Sequence, residues 1–167
     1  MIFVTVGTEQ YPFNRLLTWV EAVRDRTNPD EVLVVQAGAC TTVLDGACHW
    51  RRLDRERFVE FARKARLVVS HCGEGSFLEL QALGCAYVLV PRRAHLGEHI
   101  DDHQQELAEA LAGRGVPVAW SLAELEVYWS RGVTATDLGA LGQPLVHHLI
   151  RRYTRPVPAA AALWSQP

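Results

Sequence analysis

Val68-Val69-Ser70-His71-Cys72-Gly73-Glu74-Gly75-Ser76-Phe77-Leu78-Glu79 is the stretch on which the fold turns. The apolar run Leu67-Val68-Val69 has the composition of a buried strand. Gly73 to Ser76 reads as a turn, and Phe77 to Leu83 as a helix that Gly84 can end. A glycine-rich turn between a strand and a helix lets backbone approach a ligand closely. The helix start adds unpaired N–H groups and the positive end of a dipole. A phosphate or diphosphate suits a pocket built from Gly73, Gly75 and Ser76. Glu79 lies about one helical turn beyond Ser76, where a carboxylate can accept hydrogen bonds from a ribose diol. The same S-x-x-E spacing fits an ordinary capping box, and spacing alone leaves both readings open. The stretch is neither a Walker A loop nor G-x-G-x-x-G.

The rest of the chain extends this unit on both sides. Ile2 to Val6 reads as a buried strand entering the turn Gly7-Thr8. Leu16, Leu17, Val20 and Val23 recur at helical spacing, with Asn14 as their candidate cap. Val32 to Val35 is a second strand, a short strand is expected near Cys48–Arg51, and Phe58, Phe61, Ala62 and Ala65 mark another helix face. Ala86 to Val90 is a strand stopped by Pro91, and Asp102 to Leu111 is a helix. Val116 to Ala119 reads as an edge strand, where Pro117 is tolerated. Helical segments are expected at 121–129 and 144–152, with an irregular tail from Pro156. Strands alternating with helices predict an α/β, Rossmann-like parallel sheet. In such sheets ligands bind beyond the carboxyl ends of the strands, so the turns after Val6, Ser70 and Val90 lie on the active edge. The Gly7-Thr8 backbone either faces the same phosphates or forms a plain turn.

A second polar cluster runs from Pro91 to Gln105. Asp102, Gln104 and Gln105 suit sugar hydroxyls at a helix start, although Asp102 also fits an N-cap. Arg92 and Arg93 suit anionic groups. His95, His99 and His103 recur every four residues, as metal ligands on a helix would. Gly97 and Pro91 argue against a continuous helix there, and H-E-x-x-H is missing, so no metal site is expected. No D-x-D triplet occurs, which assigns diphosphate charge to N–H groups and basic side chains.

Composition narrows the class. The 167 residues suit one domain with a sizeable core, 49% apolar and 22% charged. A net charge of −2 lacks the basic footprint of a nucleic-acid binder. Cys40, Cys48, Cys72 and Cys85 show no C-x-x-C pairing and are expected to be reduced. Met1 to Val6 is too short for a signal-peptide core, and no apolar run approaches the roughly 18 residues that span a membrane. The expectation is a cytoplasmic protein, with any membrane contact peripheral or through a partner.

The start MIFVTVGTEQYPFNRLL, the central VVSHCGEGSFLEL and the stretch VLVPRRAHLGEHIDDHQQELAEAL, in that order, resemble the C-terminal, donor-binding half of MurG-like family 28 glycosyltransferases. Over residues 1–119 the chain is most similar to stand-alone subunits. These are the catalytic subunit of the dolichol-linked N-acetylglucosaminyltransferase and the PssE-type exopolysaccharide subunits. The resemblance implies the donor half of a GT-B fold that binds a UDP-sugar, with no cofactor and no essential metal. It implies that Gly7 and Thr8 lie near the diphosphate, as do His71, Gly73, Gly75 and Ser76. It places Glu79 at the ribose, and Asp102, Gln104 and Gln105 at the donor sugar. Leu53–Arg55 aligns loosely near the uracil. Glu74 departs from a position that is usually small or neutral, and would repel a diphosphate unless it faced solvent or paired with Arg92.

The implied reaction is an inverting transfer of a hexose or hexuronic acid to a lipid-linked saccharide acceptor in polysaccharide biosynthesis. Residues 1–120 would be the donor-nucleotide domain. Residues 121–167 would form a C-terminal helical segment and tail, with Leu145, Val146, Leu149, Ile150 and Trp164 either docking on a partner or packing against the chain's own sheet. The implied partner is a membrane-anchored, acceptor-binding glycosyltransferase subunit of the PssD-like type. The partner would supply all or part of the catalytic base, and His71 is the candidate catalytic residue within this chain. A non-catalytic nucleotide-sugar-binding or regulatory module is the competing reading, and a GT-B-type epimerase a third.

Overall fold

The computed structural model describes residues 1–133. The expected helix at 144–152, the tail and the candidate docking residues lie outside them. Five strands, β1 (Ile2–Thr5), β2 (Leu33–Gln36), β3 (Cys48–Trp50), β4 (Leu67–His71) and β5 (Tyr87–Val90), form one sheet in the order β3-β2-β1-β4-β5. Every pairing is parallel. Five helices accompany them among the described residues: α1 (Asn14–Thr27), α2 (Arg55–Lys64), α3 (Glu74–Leu83), α4 (His103–Ala112) and α5 (Leu122–Arg131). The expected α/β, Rossmann-like class is the one observed.

Both faces of the sheet are covered, which is why its central strands read as unbroken apolar runs. Alternation decides which side chain goes where. Ile2, Val4, Leu67, Val69, Val88 and Val90 meet Leu16, Leu17, Val20 and Val23 of α1 and Leu125 and Trp129 of α5. Phe3, Val68, Tyr87 and Leu89 pack on the other face with Ala62 of α2, Phe77 and Leu80 of α3 and Leu107, Ala108 and Leu111 of α4. The four cysteines are free thiols.

Three local expectations need correction. Asn14 does not cap α1. Phe13 occupies the N-cap position, and the Asn14 carboxamide accepts from the N–H groups of Thr41 and Thr42 at 3.0 and 3.1 Å. The edge strand at Val116–Ala119 reduces to one bridge, Leu89 with Val118. Leu89 N donates to Pro117 O and Ala119 N to Leu89 O, and the missing N–H of Pro117 limits further pairing. Finally, Gly73 to Ser76 is not a free turn, because α3 begins at Glu74 with Gly73 as its N-cap. The helix-ending role of Gly84 holds: it adopts φ +62 at the C-cap.

Candidate donor-binding cleft

The strand order reverses between β1 and β4, and a cleft of about 660 Å³ opens at their carboxyl ends. This is the topological switch point at which open parallel sheets bind ligands. Gly7 and Thr8 line it from the turn after β1. His71, the last residue of β4, lines it together with Gly73, Gly75, Ser76 and Glu79.

His71 forms the floor between two glycines. A Cβ on Gly7 would stand 2.6 Å from Cε1 and Nε2 of the imidazole, and one on Gly73 would come closer still. Gly7 also adopts φ +81, a region side chains rarely enter. Both glycines are therefore required by the ring they enclose. Burial, with the charge of Arg92 second, lowers the His71 pKa to about 3, so its imidazole is neutral at physiological pH. Its Nδ1 is buried without a hydrogen-bond partner among the described residues.

The start of α3 settles the capping question. Gly73 makes no side-chain cap, and Ser76 is the third residue of the helix rather than its cap. The first N–H groups of α3 are left without intrahelical partners, beside the cleft. Glu79 lies one turn on. Its carboxylate accepts from Arg55 Nη2 at 2.9 Å and from Arg55 Nε at 3.4 Å. The capping box of the described chain is instead Ser121 with Glu124, at the start of α5.

The polar cluster after β5 divides. Gln104 is buried and lines the cleft; its Oε1 accepts from Arg92 N at 3.3 Å, leaving its NH2 group for a ligand. Asp102 and Gln105 do not line the cleft. They hydrogen-bond to each other, and Asp102 also accepts from Ala94 N at 2.9 Å, closing the loop ahead of α4. Asp102 occupies the N-cap position without a side-chain cap bond.

Arg92 and Arg93 do not reach the cleft either. Arg92 is fully buried, and its guanidinium donates to the carbonyls of Val6, Tyr11 and Glu98 at 2.6 to 2.8 Å. It ties the Gly7 turn to the loop after β5. Arg93 donates to Trp120 O at 2.7 Å. Glu74 therefore has no ion pair with Arg92. It lines the cleft, where burial raises its pKa and His103 acts in the opposite direction.

Sequence reading passed over several lining groups. Thr5 Oγ1 donates to Gln36 Oε1 at 2.9 Å, joining the ends of β1 and β2 under the cleft. Both are polar residues at the carboxyl end of buried strands, and that placement was the available signal. Phe58, read from the sequence only as part of a helix face, and His99 and His103, read only as part of a histidine repeat, also line it.

A family model, "Glycosyltransferase family 28 C-terminal domain", matches residues 1–126. A search of curated proteins found no match. Two solved structures share the fold. One is CalG4, the calicheamicin glycosyltransferase, at 16% identity and a TM-score of 0.54. The other is the spinosyn forosaminyltransferase SpnP, at 14% identity and a TM-score of 0.51. Each match covers 90% of this chain but only 36% and 42%, respectively, of those two enzymes. With the family model covering most of its length and a GT-B-type sheet carrying the cleft, the chain belongs to the glycosyltransferase family 28 C-terminal domain family.

Proposed function

We propose that this chain is the UDP-sugar-binding, catalytic subunit of a two-subunit inverting glycosyltransferase. It transfers a hexose or hexuronic acid to a lipid-linked saccharide acceptor in exopolysaccharide or capsule synthesis. The observation that carries the reading is the cleft at the β1/β4 switch point. One wall is the free start of α3, with Glu79 one turn along the same helix.

In this reading the N–H groups of α3 take the diphosphate, joined by the Gly7-Thr8 backbone. Fixed donors need no reorganisation as negative charge develops on the leaving group, and such stabilisation is often the largest catalytic contribution. Glu79 accepts from the ribose hydroxyls, exchanging its contact with the exposed Arg55. Gln104 offers its NH2 group to the donor sugar. A neutral His71 buried at the floor is a weak base, so its part is to donate a hydrogen bond to the diphosphate. The base that takes the acceptor proton then comes from the membrane-anchored, acceptor-binding partner subunit.

Among the described residues no helix is long and apolar enough to cross a membrane. Membrane contact in this reading passes through the partner, on the cytoplasmic face. Thermal shift against a panel of UDP-sugars tests the donor class. A donor at 100 times its dissociation constant adds about 2.7 kcal/mol of stability. The reading predicts that UDP and at least one UDP-sugar raise Tm, and that transfer activity appears when the partner is added. A panel in which no member moves Tm contradicts it.

A further inference from the structure

The loop between β5 and α4 gathers three side chains to which the donor reading gives no role, His99, Asp101 and His103. The helix that would carry a four-residue histidine repeat does not form. Gly97 turns left-handed at φ +70 after a short 3-10 turn, and α4 begins only at His103. The chain instead bends so that Nδ1 of both histidines converges on Oδ1 of Asp101. His99 Nδ1 stands 3.3 Å from it, and His103 Nδ1 is in closer contact. One ligand atom from each residue lies within 4.8 Å of the others. His95 is not part of the group.

A neutral imidazole carries one lone pair and one N–H. Two such nitrogens and one carboxylate oxygen make the donor set of a single cation. Here the same atoms hydrogen-bond locally, His99 Nδ1 accepting from Asp101 N at 3.4 Å and Asp101 Oδ1 from His103 N at 3.3 Å. A bound ion would replace the contacts between the side chains. The His99 side chain is only 8% exposed, with its ring centroid 5.7 Å from that of Tyr11 and 4.4 Å from that of His103. Much of the ordering that a metal site requires is therefore already present. Asp101 and His103 are open to solvent, which provides an entry path.

We propose that His99, Asp101 and His103 bind a divalent first-row transition-metal ion of the zinc or cobalt type at the rim of the cleft. Two imidazoles and a carboxylate favour such ions over magnesium and calcium, which take oxygen ligands. Three protein ligands leave coordination positions open. His99 and His103 both line the cleft, so a bound ion stands beside any anion held by the start of α3. The site itself does not rest on the donor reading, and its test contains no nucleotide.

The experiment is a titration of untagged, chelator-stripped protein with Co²⁺, followed by visible absorption, with Zn²⁺ as competitor. The expected result is one equivalent of Co²⁺ with a ligand-field band that Zn²⁺ abolishes. Affinity should fall at least about tenfold in Asp101→Asn and in His103→Asn, and stay unchanged in His95→Asn. Circular dichroism checks that these surface variants fold. Absence of a band at stoichiometric protein overturns the proposal. So does a band that survives both variants, or one that disappears in Cys48→Ser, which would move the ion to an exposed thiolate.

Discussion

At the scale of residues, the cleft depends on a buried ring fitted between two glycines. Alanine at Gly7 meets the His71 imidazole and must hold a strained φ, so Gly7→Ala should destabilise the fold by about 1–3 kcal/mol from backbone strain alone. Chemical denaturation measures this, and unchanged stability would mean that the ring can move aside. His71 also makes stability depend on pH. Its folded pKa of about 3 lies below the ordinary value of 6.5, so the unfolded chain binds the extra proton. Its contribution is constant above pH 6.5, and stability is lost as pH falls from there toward 3. Replacement by Gln should flatten that part of the pH–stability curve. The sequence displayed these glycines and His71 because strand-to-helix junctions advertise themselves. It did not display that Arg92 is buried under three carbonyls, since an Arg-Arg pair after a strand looks like an anion site.

At the scale of elements, apolar runs and periodicity located β1, β2, β4, β5 and the faces of α1 and α2, because those strands are buried on both sides, whereas the short, partly exposed β3 carries no apolar run. The boundaries that failed are those decided by a single hydrogen bond. Ser76 and Ser121 each precede a glutamate by three residues, yet only Ser121 caps. Gly73 had already started α3 three residues earlier, and nothing in the local spacing encodes that. Ser121→Ala should cost about 0.5–2 kcal/mol through loss of the α5 cap, while leaving nucleotide binding unchanged. Ser76→Ala, by contrast, should leave stability nearly untouched, because its hydroxyl caps nothing. Paired denaturation curves of the two variants decide this, and equal losses would contradict the assignment. The split of Asp102 and Gln105 away from the cleft was equally hidden. A D-x-Q-Q pattern does not say which of its side chains the loop keeps for itself.

At the scale of the whole molecule, a parallel sheet with one switch point has one natural ligand edge, and the chain places its glycine turns there. The chain spans only 36% and 42% of the length of the two structural relatives, which share its fold. The central claim is that the β1/β4 cleft holds the nucleotide of the donor. Isothermal titration of UDP into the untagged chain tests it most directly, with Glu79→Ala and Ser121→Ala alongside. The account predicts one site, weakened about ten- to a hundredfold by Glu79→Ala, roughly 1.5–3 kcal/mol, and unaffected by Ser121→Ala. No UDP binding, or equal affinity in the chain and in Glu79→Ala, would contradict it.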